Sequence, residues 1–228
     1  MRARALSALL VEASSNTGLL VAALSSIILS LLVYPDYATI VASVGGATSI
    51  PASPESLVER SVDFYLEYIV RDDLALTLAV AAPVASGLAI SYPWETGTDR
   101  FGVQFLYRRR AVAYASKASS TLIWLILSLT LAVALIPLSL SYSLGALMLR
   151  HGLDRMAVLV ATLSLLYGGA STLISSTLPR FSVSIVAGIV AGFALSSLAV
   201  DRLDPAGYSA AGLLLYLLGY IGYLRRDL

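Results

Sequence analysis

Six apolar runs punctuate the chain, and charge, proline or both close each of them. Thr17–Tyr34 is unbroken by charge and stops at Pro35-Asp36, and Leu74–Tyr92 follows Arg71-Asp72-Asp73 with Pro83 at its middle. Ser116–Leu138 takes in Lys117 at its start and ends around Pro137, and Met156–Leu178 stops at Pro179-Arg180. Phe181–Val200 stops at Asp201-Arg202 and Ala206–Leu224 at Arg225-Arg226. Runs of about 17–25 apolar residues match the hydrocarbon thickness of a bilayer when coiled as helices. None alternates apolar and polar residues as a membrane β-strand does. A backbone in hydrocarbon must satisfy its own hydrogen bonds, which a helix achieves. The pattern therefore predicts an all-α integral membrane protein with six transmembrane helices, a single transmembrane domain over residues 1–228.

The flanks carry weaker patterns. In the arm 1–16, Leu6, Leu9, Leu10 and Ala13 follow helical spacing while Arg2, Arg4 and Glu12 lie largely off that stripe. An N-terminal amphipathic interfacial helix is expected there. Arg2 and Arg4 also suit the start of a signal peptide, but the apolar run continues to full span length, so it is read as a retained helix. Residues 35–73 form the longest polar segment. Its first half has no clear period; its second half opens with Ser53 as N-cap, Pro54 at the first helical position and Glu55 in the first turn. Glu55, Glu59, Asp63 and Glu67 then make an acidic stripe, read as a solvated face rather than a cation site.

Composition narrows the function classes. The chain is 58% hydrophobic and 13% charged, against about 25% charged for soluble domains, so a water-soluble enzyme is excluded as the starting reading. There is no cysteine and one histidine, His151, so thiolate chemistry is absent and histidine-based metal or acid–base sites are poorly supplied. A net charge of +1 gives no field for nucleic acid. The centres of the six runs hold no Asp, Glu, Lys, Arg or His, which leaves no in-membrane acid or base of the usual kind to couple a proton gradient. Lys117-Ala118-Ser119 has no glycine frame before it and makes no nucleotide-binding loop. No catalytic, cofactor-binding or metal-binding residue is assigned.

Charge sets the expected orientation. With both termini inside, the inner segments hold Arg2, Arg4, Arg100, Arg108, Arg109, Arg110, Lys117, Arg180, Arg225 and Arg226, and the outer ones Arg60, Arg71, Arg150, Arg155 and Arg202. This bias obeys the positive-inside rule and predicts a multi-pass protein of the cell membrane, both termini cytoplasmic, with 35–73 outside. Two stripes of small residues recur every four positions: Ser164, Gly168, Thr172 and Ser176 on the fourth run, and Ser184, Gly188, Gly192 and Ser196 on the fifth. Such faces let helix backbones approach closely; a hydroxyl-lined substrate path is the other reading. The short connection Thr177–Arg180 predicts a tight antiparallel hairpin.

The inner segment 93–115 is the most distinctive. Glu95 opens it, Gly97-Thr98 follow, then an apolar trio of Phe101, Phe105 and Leu106, the cluster Arg108-Arg109-Arg110, and Lys117 at the next span. This resembles the stretch after the second span in ABC-2 type permeases, the membrane subunits of ATP-binding-cassette exporters. In that family a Glu-x-x-Gly-Thr-like stretch leads a cytoplasmic coupling helix, and a basic turn ends in Gly-Lys before the third span. Here the glutamate stands one residue closer to Gly-Thr, Ser116 replaces the glycine, and the family's proline–serine–arginine turn is missing. A second, longer likeness runs from Tyr167-Gly168-Gly169 through Ser175-Ser176 to Phe181-Ser182.

The resemblance implies a coupling helix between spans two and three, with Glu95, Gly97, Thr98, Phe101, Phe105, Arg108, Arg109 and Arg110 facing a separate cytoplasmic ATPase subunit. It also implies a second permease subunit, identical or not, a surround of membrane lipid, and no cofactor on this chain. The permease itself would be non-enzymatic, with ATP hydrolysed elsewhere. A membrane scaffold that docks a cytoplasmic partner through 93–110, without transport, is the alternative. The scarcity of Asn, Gln and Cys is of the kind seen in thermophile proteins.

Overall fold

The computed structural model describes residues 16–45, 65–101, 109–140, 142–178, 180–199 and 204–225. Among them the chain is all-helical, with six long helices and one short one. Helix α1 is Asn16–Gly45. Helix α2 is Arg71–Glu95, entered through a π-helical stretch, Tyr65–Val70, and containing a second, Gly87–Ser91. The single turn α3 is Thr98–Phe101. Helices α4, α5, α6 and α7 are Arg110–Leu140, Tyr142–Thr177, Phe181–Ala199 and Pro205–Leu224. Four of them are long and apolar enough to cross a membrane: α2, α4, α5 and α7. The apolar parts of the other two, Leu20–Pro35 and Phe181–Ser197, are shorter.

Each long helix covers one of the six apolar runs to within a residue, and most extend beyond it. Helix α1 continues through Pro35 to Gly45, so the chain after Tyr34 stays helical as far as that residue. Helix α4 starts at Arg110, ahead of Ser116, and α5 starts at Tyr142, so Arg150, His151, Asp154 and Arg155 ride on exposed helical turns. The arm 1–15 and the helix start at Ser53-Pro54 lie outside the described residues.

Burial ranks the helices. The apolar window of α2 is 72% buried and that of α7 22%, which puts α2 inside and α7 on the periphery. Helix α5 packs against α2, α4, α6 and α7, and α2 against α1, α5 and α6. Leu29, Leu74, Leu78, Leu125, Leu129, Met156 and Leu163 fill the core between them. The outward faces remain apolar: Leu127, Leu131, Val186, Val190, Leu214 and Leu217 are all more than half exposed. A water-facing bundle would carry polar residues there; a lipid-facing one carries these.

Close approach is made by small residues. A Cβ on Gly192 would stand 2.7 Å from Ala79 Cα, and one on Gly188 2.7 Å from Pro83 Cβ. Helix α6 therefore lies on α2 backbone to backbone. Helix α7 meets α5 the same way: a Cβ on Gly212 would be 2.6 Å from the Leu165 carbonyl oxygen, and one on Gly169 2.5 Å from the Gly212 oxygen. The α1–α4 seam is tied by Ser25 Oγ to Ser128 Oγ at 2.9 Å.

Candidate functional site at the charged end of the bundle

The segment that joins α2 to α4 is built by a Thr-Gly-Thr turn. Helix α2 runs to Glu95, and the Thr96 and Gly97 amides close its end on the Tyr92 and Trp94 carbonyls. Gly97 has φ +75, a left-handed conformation that costs glycine nothing and other residues about 1 kcal/mol or more. The Thr96 hydroxyl donates to the Tyr92 carbonyl at 2.9 Å, and that of Thr98 to the Pro93 carbonyl at 3.2 Å. The turn redirects the chain into α3 and carries Asp99 into the protein.

Asp99 is 2% exposed and Lys117 4%. The Lys117 Nζ donates to Asp99 Oδ1 in a direct ion pair, and the Tyr223 hydroxyl donates to Asp99 Oδ2 at 2.7 Å. Both carboxylate oxygens are thus occupied. Lys117 lies seven residues into α4, about two turns below its start, and Tyr223 is near the end of α7. One carboxylate therefore joins the inter-helix segment to α4 and α7. Tyr114 packs against Tyr220 and Tyr223, with ring centroids 5.6 and 5.5 Å apart, and closes the apolar side of the cluster. An ion pair this buried persists because each charge satisfies the other; removing one leaves an uncompensated charge.

Glu95 makes the third attachment. Its Oε2 accepts from the Phe181 backbone amide at 2.8 Å, an unpaired N–H at the positive end of α6. The sequence places Glu95 at the start of a coupling helix; in the structure it ends α2 and caps α6. Tyr92 and Phe181 stack edge to face beside it, centroids 5.5 Å apart. Arg110 Nη1 donates to the Leu224 carbonyl at 3.1 Å, adding a second tie from α4 to α7. Phe101 is the last residue of α3, and Arg109 is exposed just before α4. Phe105 and Arg108 lie outside the described residues.

A row of buried hydroxyls leads from this end between α2, α5 and α6. Ser86 meets Thr172 at 3.3 Å, and the Ser91 hydroxyl donates to the Ser175 carbonyl at 3.0 Å. Ser164 and Ser184 are fully buried, and the Tyr216 hydroxyl fills the space over Gly168. Among the described residues no three His, Cys, Asp or Glu side chains gather to hold a metal ion.

Neither Asp99 nor Tyr223 is among the residues that the sequence pattern singles out. A signal existed: Lys117 is the chain's single lysine, fourteen arginines supplying every other cation, and it stands among Ala and Ser at the head of an apolar run. Such a cation needs a buried partner, and Asp99 is the one acid between Glu95 and Asp154. Comparison of the chain with protein-family models, curated proteins and solved structures finds no match in any of the three.

Proposed function

We propose that this chain is the permease subunit of an ATP-binding-cassette exporter, with six membrane helices, both termini cytoplasmic and ATP hydrolysed on a separate subunit. The observation that carries the reading is the triple attachment of residues 95–99. A displacement of this segment must move α6 through Glu95–Phe181, α4 through Asp99–Lys117 and α7 through Asp99–Tyr223. An ordinary topological loop has no need of cross-links to three helices, two of them through one buried carboxylate. A segment that receives force from a docked partner does, because rigid joints pass motion on while a slack loop absorbs it. Phe101 and Phe105, four residues apart in the sequence, are the rings this reading assigns to that partner, and each ring buried in its pocket would contribute about 1.5–3 kcal/mol. A second permease subunit, identical or not, completes the transporter in the surrounding lipid.

The test is pull-down of the ATPase by the detergent-solubilised subunit. Phe101→Ala/Phe105→Ala should keep its elution profile while losing most ATPase association and all ATP-driven transport. Undiminished association would refute the coupling assignment. Association without any stimulation of ATP turnover by the wild-type chain would favour a non-transporting scaffold.

A further inference from the structure

At the end of the bundle opposite Asp99, the starts of α2 and α7 and the exposed part of α5 border an open cavity of about 450 Å³. That volume falls among small-ligand sites of about 300–1,000 Å³. Its depth follows from helix rise. Arg71, on the cavity wall, is 24 residues before Glu95, about 36 Å at 1.5 Å per residue. Arg155 is 22 residues before Thr177, about 33 Å by the same rise. A hydrocarbon core is about 30 Å thick, so if the charged end sits at one bilayer surface, the cavity opens at the headgroup level of the other.

The lining divides by chemistry. Arg71, Arg155 and Tyr208 bring donors, Asp154 brings one carboxylate, and Leu66 and Val158 belong to the apolar wall. Arg71 is half-buried and donates through Nη2 to the Tyr208 hydroxyl at 3.3 Å, while Tyr208 is itself buried. That bond holds the guanidinium against the cavity. A guanidinium fork matches phosphate geometry and is the preferred cation for it. Two guanidinium groups and one carboxylate line the cavity, and Asp154 at the rim disfavours a dianionic phosphomonoester. Polar donors continuous with an apolar wall fit a ligand that has both a head and a chain.

We propose that this cavity binds a phosphodiester amphiphile drawn from the adjoining leaflet, its phosphate at Arg71 and Arg155 and its chain along Leu66 and Val158. The site is independent of any ATPase partner. The test uses the purified full-length chain in detergent and dihexanoyl phosphatidylglycerol as probe, read by thermal melting. The probe should raise the melting temperature by about 5–11 °C at a hundredfold excess over Kd. Dihexanoylglycerol, with the same chains and no phosphate, and inorganic phosphate at equal concentration should each leave it unchanged. Arg71→Gln should weaken binding at least tenfold. Because that variant also loses the Tyr208 bond, Val158→Trp provides a second arm: Val158 is half exposed at the rim, so the larger ring fills the cavity with both arginines intact and should abolish the shift. An equal shift with dihexanoylglycerol reduces the site to an apolar cleft, and a full shift with inorganic phosphate makes the ligand a free anion. Unchanged affinity in Val158→Trp places binding elsewhere. Each of these three results overturns the proposal.

Discussion

Replacing the Asp99–Lys117–Tyr223 cluster piece by piece should give stabilities that do not add. Asp99→Leu leaves the Lys117 ammonium, 4% exposed, without its counter-charge, and Lys117→Met strands the carboxylate in the same way. Breaking a buried pair from one side costs about 3–5 kcal/mol. At about 2–4 °C per kcal/mol for a chain of this size, each single variant should melt roughly 10 °C below wild type. In Asp99→Leu/Lys117→Met both charges are gone, and what remains is the Tyr223 hydroxyl with its acceptor removed, a cost of about 1–3 kcal/mol. Adding Tyr223→Phe removes that last polar group, and the triple variant should return to within about 1 kcal/mol of wild type, since well-packed apolar replacements of buried ion pairs are often neutral. The assay is thermal unfolding of the four variants and the wild type in one detergent. A triple variant that melts lower than either charge single would refute the reasoning, because the cluster would then be contributing net stability rather than mutual compensation. The same triple variant separates folding from transmission: with its fold restored and its cross-links gone, it should bind the ATPase yet fail to raise its turnover.

Three further outcomes are expected. Gly188→Leu and Gly192→Leu should lower expression and melting temperature more than Leu195→Ala, since the added side chains would enter Pro83 and the Ala79 backbone; equal stability of all three would exclude close α2–α6 packing. Glu95→Ala should lower the melting temperature by about 1–3 °C, from a lost charge-assisted cap of about 0.5–1 kcal/mol at an exposed helix start, and no change at low ionic strength would show that the bond to the Phe181 amide is inert. In this cysteine-free chain, Ser56→Cys and Arg109→Cys should react with an impermeant maleimide from opposite sides of sealed vesicles, and labelling from one side would break the six-span arrangement.

The helices were legible because an apolar run in lipid has one way to satisfy its backbone, and each of the six long helices covers such a run to within a residue. Their ends were less so. Hydropathy loses a helix where charge begins, and Arg110 and Arg150 sit on turns that are helical by continuation, not by apolarity. Pro35 read as a stop because proline disfavours helix in the residue before it, yet α1 runs on through Tyr37 and Ala38 to Gly45. The glycines of the fifth run were visible as a stripe, but their partner was not: periodicity names a face and cannot say that Pro83 and Ala79 lie opposite. Gly212 and Gly219 on α7 stand seven residues apart, a spacing that returns to one helix face without forming a four-residue repeat, so the stripe they make is harder to see. Asp99 reaches Lys117 only because the turn just before it is set by Gly97 at φ +75, and no reading of residue types alone supplies that angle.

The π-helical stretch Gly87–Ser91 acts on α2 as a phase correction. Residues four apart on an α-helix creep around its axis, since a turn takes only 3.6 residues. Ala79, Pro83 and Gly87 nonetheless all lie against α6, at Gly192, Gly188 and Ile185 respectively, and Glu95 returns to α6 at Phe181. The wider π turn advances each residue by less and winds part of that creep back. Deleting one residue within it would rotate everything beyond by about 100°, swinging Glu95 away from Phe181 and Asp99 away from Lys117 together. The helix thus keeps two distant contacts in step by carrying one residue more than an α-helical path requires.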